Sequence, residues 1–114
     1  MKKINIVKSN EDFDRIIKCN KPFKYKSFVV YIEWTNDTCY HFGFCVSKKI
    51  GNAVTRNKIK RRIKSAISGF DYKNNFNCII ITGKGILNES FQELSDNLFF
   101  IFDKLSLFGG KKLW

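Results

Sequence analysis

The run Cys78-Ile79-Ile80-Ile81 places apolar side chains on both faces of one extended segment. Side chains of a strand alternate between the two faces of its sheet, so the run predicts a strand over residues 77–82 that is buried on both sides. Any fold open to this chain has to cover that strand twice. Two further stretches alternate instead. Phe28, Val30, Ile32 and Trp34 face one way, with Val29, Tyr31 and Glu33 opposite. Tyr40, Phe42, Phe44 and Val46 form a second apolar face, with Cys39, His41, Gly43, Cys45 and Ser47 behind it. Separated by the turn residues Asn36-Asp37-Thr38, these two stretches read as an antiparallel pair.

Helical periodicity appears at both ends. Ser9, with Asp12 three residues on, resembles a capping box, and Phe13, Ile16 and Ile17 follow at helical spacing; a short helix is expected over about residues 10–18. Pro22, in Asn20-Lys21-Pro22, marks a loop. Near the other end, Phe91, Leu94, Leu98, Ile101, Phe102 and Leu105 share one helix face, with Asn88 as the expected N-cap. Glu89, Glu93, Asp96 and Asp103 lie opposite and read as a solvated face, with acids favoured near the helix N-terminus, rather than as metal ligands. Gly109-Gly110 predicts a flexible tail over about 109–114.

At 114 residues the chain makes one domain, 1–114, and its 44% hydrophobic and 16% aromatic content excludes intrinsic disorder. No window holds the roughly 18 uncharged apolar residues of a membrane span. The start, Met1-Lys2-Lys3-Ile4-Asn5-Ile6-Val7-Lys8, is basic but lacks the apolar core of a secretory signal, so the expected location is cytoplasmic, with no membrane partner. Cys19, Cys39, Cys45 and Cys78 form no C-x-x-C pair, and the single histidine, His41, has no metal-ligand spacing to them; no metal site is expected. One histidine also excludes a two-histidine acid–base nuclease.

Charge points to a partner. Twenty-one Lys and Arg against ten Asp and Glu give a net charge of +11, and nucleic acid is the first polyanion to consider. Eight of those cations fall within 18 residues, 47–64: Lys48, Lys49, Arg56, Lys58, Lys60, Arg61, Arg62 and Lys64, with no acid among them. Gly51-Asn52 marks a turn, and a helix is expected from near Thr55. On a helical wheel Ile59, Ile63, Ala66 and Ile67 cluster on one side, while Asn57, Lys60, Arg61 and Lys64 form a stripe beside them. Lysine supplies point charge, arginine a planar fork for phosphate, and asparagine a donor–acceptor pair for a base edge or 2′-OH. A solvated helix interleaves Glu with its Lys; this one does not, and like charges at i,i+4 cost stability that a polyanion offsets.

The string Phe42-Gly43-Phe44-Cys45-Val46-Ser47-Lys48-Lys49-Ile50-Gly51-Asn52-Ala53-Val54-Thr55-Arg56-Asn57-Lys58-Ile59-Lys60-Arg61-Arg62 resembles the signature of the bacterial ribonuclease P protein subunit, V-G-[FL]-x-V-S-K-K-x-G-N-A-V-x-R-N-R-x-K-R. The match is gap-free, and flanking patterns extend the resemblance from about Ile4 to Phe108. Lys58 stands where the signature has its second arginine, Phe42 where valine is usual, Cys45 where serine is common, and Ile17 at an often aromatic position.

The resemblance implies an α+β fold, a single domain with a small mixed sheet and three helices in αβββαβα order, with a left-handed βαβ crossover. Only three strands are read directly from the chain, so a fourth is expected between His41 and Ala53 or in residues 20–27. It further implies a non-catalytic protein component of an endoribonuclease whose chemistry, removal of the 5′ leader from precursor tRNA, belongs to a catalytic RNA with Mg²⁺ bound to that RNA. The partners implied are the catalytic RNA and precursor tRNA, with no obligate protein partner. Contacts to the catalytic RNA carry over to Lys48, Lys49, Asn52, Arg56, Asn57, Lys58, Lys60, Arg61, Arg62 and Lys64; a leader-binding cleft carries over to Phe13, Ile17 and Tyr31. Gly43, on the same side as Tyr31, would lower the sheet surface and admit a nucleotide. Phe13 and Tyr31 also fit ordinary packing beneath the first helix. A ribosomal or RNA-chaperone module is the alternative, since the same basic helix would serve it.

Overall fold

The computed structural model describes residues 6, 7, 9–36 and 38–109. Three α-helices and four strands follow one another in the order α1 (Asn10–Cys19), β1 (Phe23–Tyr25), β2 (Phe28–Trp34), β3 (His41–Val46), α2 (Ala53–Ile67), β4 (Phe76–Thr82) and α3 (Phe91–Lys104). Short 3₁₀ turns at Lys48–Ile50 and Lys84–Asn88 lead into α2 and α3. This is the expected αβββαβα arrangement around a mixed sheet. Among the described residues, no helix is long and apolar enough to cross a membrane.

The doubly apolar segment sits inside the sheet. Strand order is β1-β2-β4-β3, with β4 antiparallel to β2 and parallel to β3. The expected antiparallel pairing of β2 with β3 is therefore wrong: β4 lies between them. The reason is burial. Cys78, Ile79 and Ile80 are all fully buried, and a strand apolar on both faces gains most with a neighbour on each edge and a layer above and below. β3 and β4, as parallel neighbours, are joined through α2, since a parallel pair needs a long crossover.

The missing fourth strand is β1, in the 20–27 window. It forms a hairpin with β2 in which Tyr25 opposes Phe28 across Lys26 and Ser27. Lys26 takes φ 53°, a left-handed conformation that hairpin turns usually assign to Gly or Asn.

One face of the sheet carries the main core. Phe28 and Val30 from β2, Phe42 and Val46 from β3, and Cys78 and Ile80 from β4 pack against Ile59, Ile63 and Ile67 of α2 and Leu94, Leu98, Ile101 and Phe102 of α3. Phe42, fully buried, meets Tyr72, Phe76 and Phe102 with ring centroids 5.1, 5.6 and 5.8 Å away. Phe91, expected on that face of α3, stays 41% exposed at the first turn. The cap of α3 also lies two residues later than expected. Ser90, not Asn88, is the N-cap, and its hydroxyl and the Glu93 carboxylate form a reciprocal capping box. Beyond the helix, Gly109 donates to Asp71 O at 3.2 Å, and an added Cβ there would meet the Tyr72 and Lys73 backbone at 2.7–2.8 Å. The remainder of the predicted tail lies outside the described residues.

The second face is covered by α1, with Val7 beside it. Ile16 is fully buried with Ile79 and Val7, and Phe13, Ile17, Tyr31 and Ile81 pack around them. Burying Ile16 contributes about 1.5–3 kcal/mol to docking this helix. Ser9 caps α1 by accepting from the backbone N–H of Glu11 and Asp12; the Asp12 carboxylate pairs with Arg15.

Candidate RNA-binding surfaces

Helix α2 begins two residues before the expected start because Asn52 caps it: its side-chain Oδ1 accepts from Thr55 N at 2.9 Å. That use commits the Asn52 oxygen to the helix and leaves its amide N–H groups free to point outward. Ser47 does the same for the preceding 3₁₀ turn, accepting from Lys49 N and holding Lys48 and Lys49 exposed at the approach to the helix.

Ile59, Ile63, Ala66 and Ile67 are buried as the wheel requires. Asn57, Lys58, Arg61 and Lys64 are exposed, and Lys60 and Arg62 are half-buried at the flanks. Arg56 shares the sector of the isoleucines and is half-buried; its Nε is enclosed with no acceptor. Lys64 places its ammonium 5.6 Å from the Phe44 ring, a cation–π contact that lays its stem along β3. Among the described residues the ion pairs all belong to Arg15 and join it to Asp12 and Glu33. The eight cations of residues 48–64 thus have no carboxylate partner, and the surface they share carries uncompensated positive charge suited to phosphate.

The second surface lies on the α1 side of the sheet. Register places three rows of side chains there. His41, Asn77 and Glu33 make the first; Gly43, Ile79 and Tyr31 the second; Cys45, Ile81, Val29 and Lys24 the third. α1 covers the first two. Arg15 grips Glu33 through Nε–Oε2 at 3.0 Å and Nη2–Oε1 at 2.8 Å, and Asn77 Nδ2 donates to the same Glu33 Oε1 at 2.9 Å. With the Asn77 amide so oriented, its Oδ1 accepts from His41 Nδ1 at 2.9 Å. Arg15 holds the Glu33 carboxyl below the usual carboxylate range, against a smaller upward push from burial.

Phe13 lies over the second row. A Cβ at Gly43 would stand 2.6 Å from Phe13 Cζ and 2.7 Å from Ile79 Cδ1. The glycine therefore admits the Phe13 ring and not a nucleotide, which corrects the expectation for that position. Tyr31 and Ile17 remain half-buried at the edge of α1. The third row stays open, with Cys45 and Lys24 exposed and Ile81 and Val29 half-buried. An apolar floor with Tyr31 and Ile17 on one side and Lys24 at the edge makes a cleft suited to an extended strand of bases. Val29, Ile81, Cys45 and Lys24 had not been singled out from the sequence, although alternation from Tyr31 and Gly43 places Val29 and Cys45 on this face. The four thiols are free; Cys78 is enclosed in the core, where burial pushes its pKa up.

Comparison with known proteins decides the lineage. The family profile of ribonuclease P matches residues 1–106. The chain belongs to the ribonuclease P protein family. A ribonuclease P protein component from Lactococcus lactis is 41% identical over 99 residues, spanning 86% of this chain and 85% of its own. One from Streptococcus pyogenes is 38% identical over 99 residues, with 86% and 83% covered. Among solved structures, the ribonuclease P protein of Staphylococcus aureus superposes with a TM-score of 0.81 at 29% identity, covering 92% of this chain and 98% of that one. The basic surface of α2 and the open row beside α1 are the two candidate surfaces for RNA.

Proposed function

We propose that the two surfaces divide the work of a ribonuclease P protein component. Family membership makes this chain a tRNA-processing subunit. In our reading the α2 face binds the catalytic RNA through Lys48, Lys49, Arg56, Asn57, Lys58, Lys60, Arg61, Arg62 and Lys64, with the Asn52 amide beside them. The cleft formed by Ile17, Tyr31, Val29 and Ile81, walled by Phe13, holds the single-stranded leader of precursor tRNA. Stacking on Tyr31 accepts any base, which suits leaders of varied sequence. The observation that carries this reading is the group of eight cations in residues 48–64 without a carboxylate partner. Hydrolysis belongs to the RNA and the Mg²⁺ it binds; the protein supplies phosphate-neutralising charge and a grip on the substrate, in the cytoplasm and without a further protein.

Reconstitution tests it. The purified chain is expected not to cleave precursor tRNA alone, and to lower the Mg²⁺ concentration at which a bacterial catalytic RNA cleaves it, because bound cations replace counterions at the RNA surface. Cleavage by RNA-free protein that survives stringent purification, or no change in Mg²⁺ requirement, overturns the reading.

A further inference from the structure

We propose that Asp12, Arg15, Glu33, Asn77 and His41 form a positioning clamp that fixes the angle of α1 over the sheet and so sets the cleft for leader recognition; this rests on the cleft reading above. The clamp is continuous across four elements. His41 on β3 donates to Asn77 on β4, Asn77 donates to Glu33 on β2, and Glu33 accepts both arms of the Arg15 fork from α1. Asp12, three residues before Arg15, fixes the guanidinium from behind at 2.6 Å.

The need for such a device follows from how α1 is docked. Its one fully buried side chain is Ile16. Phe13 and Ile17 flank it only half-buried, and so small an apolar contact sets the height of a helix more firmly than its roll. Two parallel N–H···O bonds to one carboxylate fix direction, because both arms must stay in its plane. Arg15 is the neighbour of Ile16, so the roll it selects also places Phe13 on Gly43 and Ile17 beside Tyr31. Glu33 is in turn prevented from following the helix, since Asn77 holds it to the central strand and His41 holds Asn77. None of the five residues lies on the α2 stripe, so the clamp acts on the cleft alone.

Glu33 is also the one carboxylate among the three rows of the cleft face, and Arg15 cancels its charge where leader phosphates would pass. Charge masking and positioning part company on Glu33→Gln. Masking alone makes that change harmless or favourable, because the repelling charge is gone. Positioning makes it harmful, because the fork loses its bidentate acceptor.

The experiment uses the holoenzyme reconstituted with a bacterial catalytic RNA, and reads the ratio of precursor to mature tRNA affinity. Arg15→Ala, Glu33→Gln and Asn77→Ala are each expected to lower the ratio about 3- to 10-fold, and Arg15→Ala/Glu33→Gln together by no more than the worse single change, because the residues act as one unit. Proton NMR of the free protein supplies a readout independent of RNA. The Phe13 ring shifts the Gly43 Hα resonances, and each variant is expected to move them towards unstructured values while the Phe42 and Phe102 core signals stay in place. Tyr31→Ala serves as the control for the cleft itself. If Tyr31→Ala lowers the ratio and Glu33→Gln leaves it unchanged or raises it, the clamp is overturned and the cleft stands. If the Gly43 signals follow the clamp variants but Tyr31→Ala changes nothing, the clamp orders α1 and the cleft reading falls. Gly43 signals unmoved in both Glu33→Gln and Asn77→Ala overturn the clamp outright.

Discussion

The ring of Phe13 rests on Gly43 so closely that an added Cβ would lie 2.6 Å from Phe13 Cζ. Real Cβ contacts do not come so near, so the absence of a side chain at Gly43 and the presence of an aromatic one at Phe13 are a single choice made on two elements. It lets the Phe13 side of α1 approach β3 and β4 more closely than a side chain at position 43 would allow. The same approach brings Ile17 beside Tyr31 of β2, which borders the open third row.

Gly43→Ala is accordingly expected to destabilise the fold by about 1–3 kcal/mol, the usual range for forcing a methyl into a filled site. Phe13→Ala should recover only part of that loss in the double variant, because Ile79 Cδ1 stands as close, at 2.7 Å. Urea denaturation of the four-member cycle measures the coupling. Strict additivity would mean that the ring and the glycine do not share the space.

Asn52 separates folding from binding on α2. Its oxygen caps the helix at Thr55 N, so Asn52→Ala should cost about 1 kcal/mol. Asn52→Ser keeps a capping oxygen and loses the amide donors. If the outward amide contacts RNA, Asn52→Ser retains the wild-type melting temperature and binds the catalytic RNA more weakly. Unchanged binding by both variants assigns the residue to capping alone.

What could be read in the chain was local. The α2 stripe is legible because its isoleucines and cations obey one period, and Cys78 to Ile81 declares a strand covered on both sides. β1 escaped because it has three residues, and its turn puts Lys26, not Gly or Asn, at φ 53°. The false pairing of β2 with β3 came from the turn residues between them, which say that the chain reverses but not which strand it meets. The run at β4 implied cover on both faces, and only register shows that β2 and β3 are its edge neighbours. The Phe13–Gly43 contact and the Glu33–Asn77–His41 row joined residues as far as 44 positions apart, and single-sequence periodicity does not encode such pairings.

Arg61 tests the stripe. It is exposed and has no protein partner among the described residues, so Arg61→Ala should leave thermal stability within about 0.5 kcal/mol of wild type. Losing one phosphate contact should reduce the slope of log affinity against log salt for the catalytic RNA by about one unit. A lowered affinity with an unaltered slope would place Arg61 on a base or sugar instead of a phosphate.

Acid should loosen α1 first. Arg15 holds Glu33 below its ordinary range, so its folded pKa lies under its unfolded one. The stability this contributes is fully present above the unfolded value, about 4.3, and is lost as pH falls through the folded value. Wild type and Glu33→Gln should therefore differ by a constant amount above about pH 5.5 and converge below it. Thermal melts across that range check the sign; a gap that widens in acid would contradict it.

Tyr31 and Phe13 make unequal contributions that one measurement can separate. Phe13 spends its ring on Gly43 and Ile79, whereas half-buried Tyr31 borders the open row of Val29 and Ile81. Stacking one base is worth roughly 1–3 kcal/mol, so Tyr31→Ala should lower precursor tRNA affinity of the reconstituted complex by about 5- to 150-fold. Mature tRNA has no leader to stack and should bind both complexes alike. Phe13→Ala removes a packed ring, so it should lower the melting temperature as well as the precursor affinity. Tyr31→Phe keeps the stacking face and should restore precursor binding. If Tyr31→Ala instead weakens precursor and mature tRNA together, or melts as early as Phe13→Ala, Tyr31 is packing beneath α1 and the leader lies elsewhere. Ile17→Phe provides the converse measurement, since an aromatic at that edge of α1 should tighten precursor binding and leave mature tRNA unaffected.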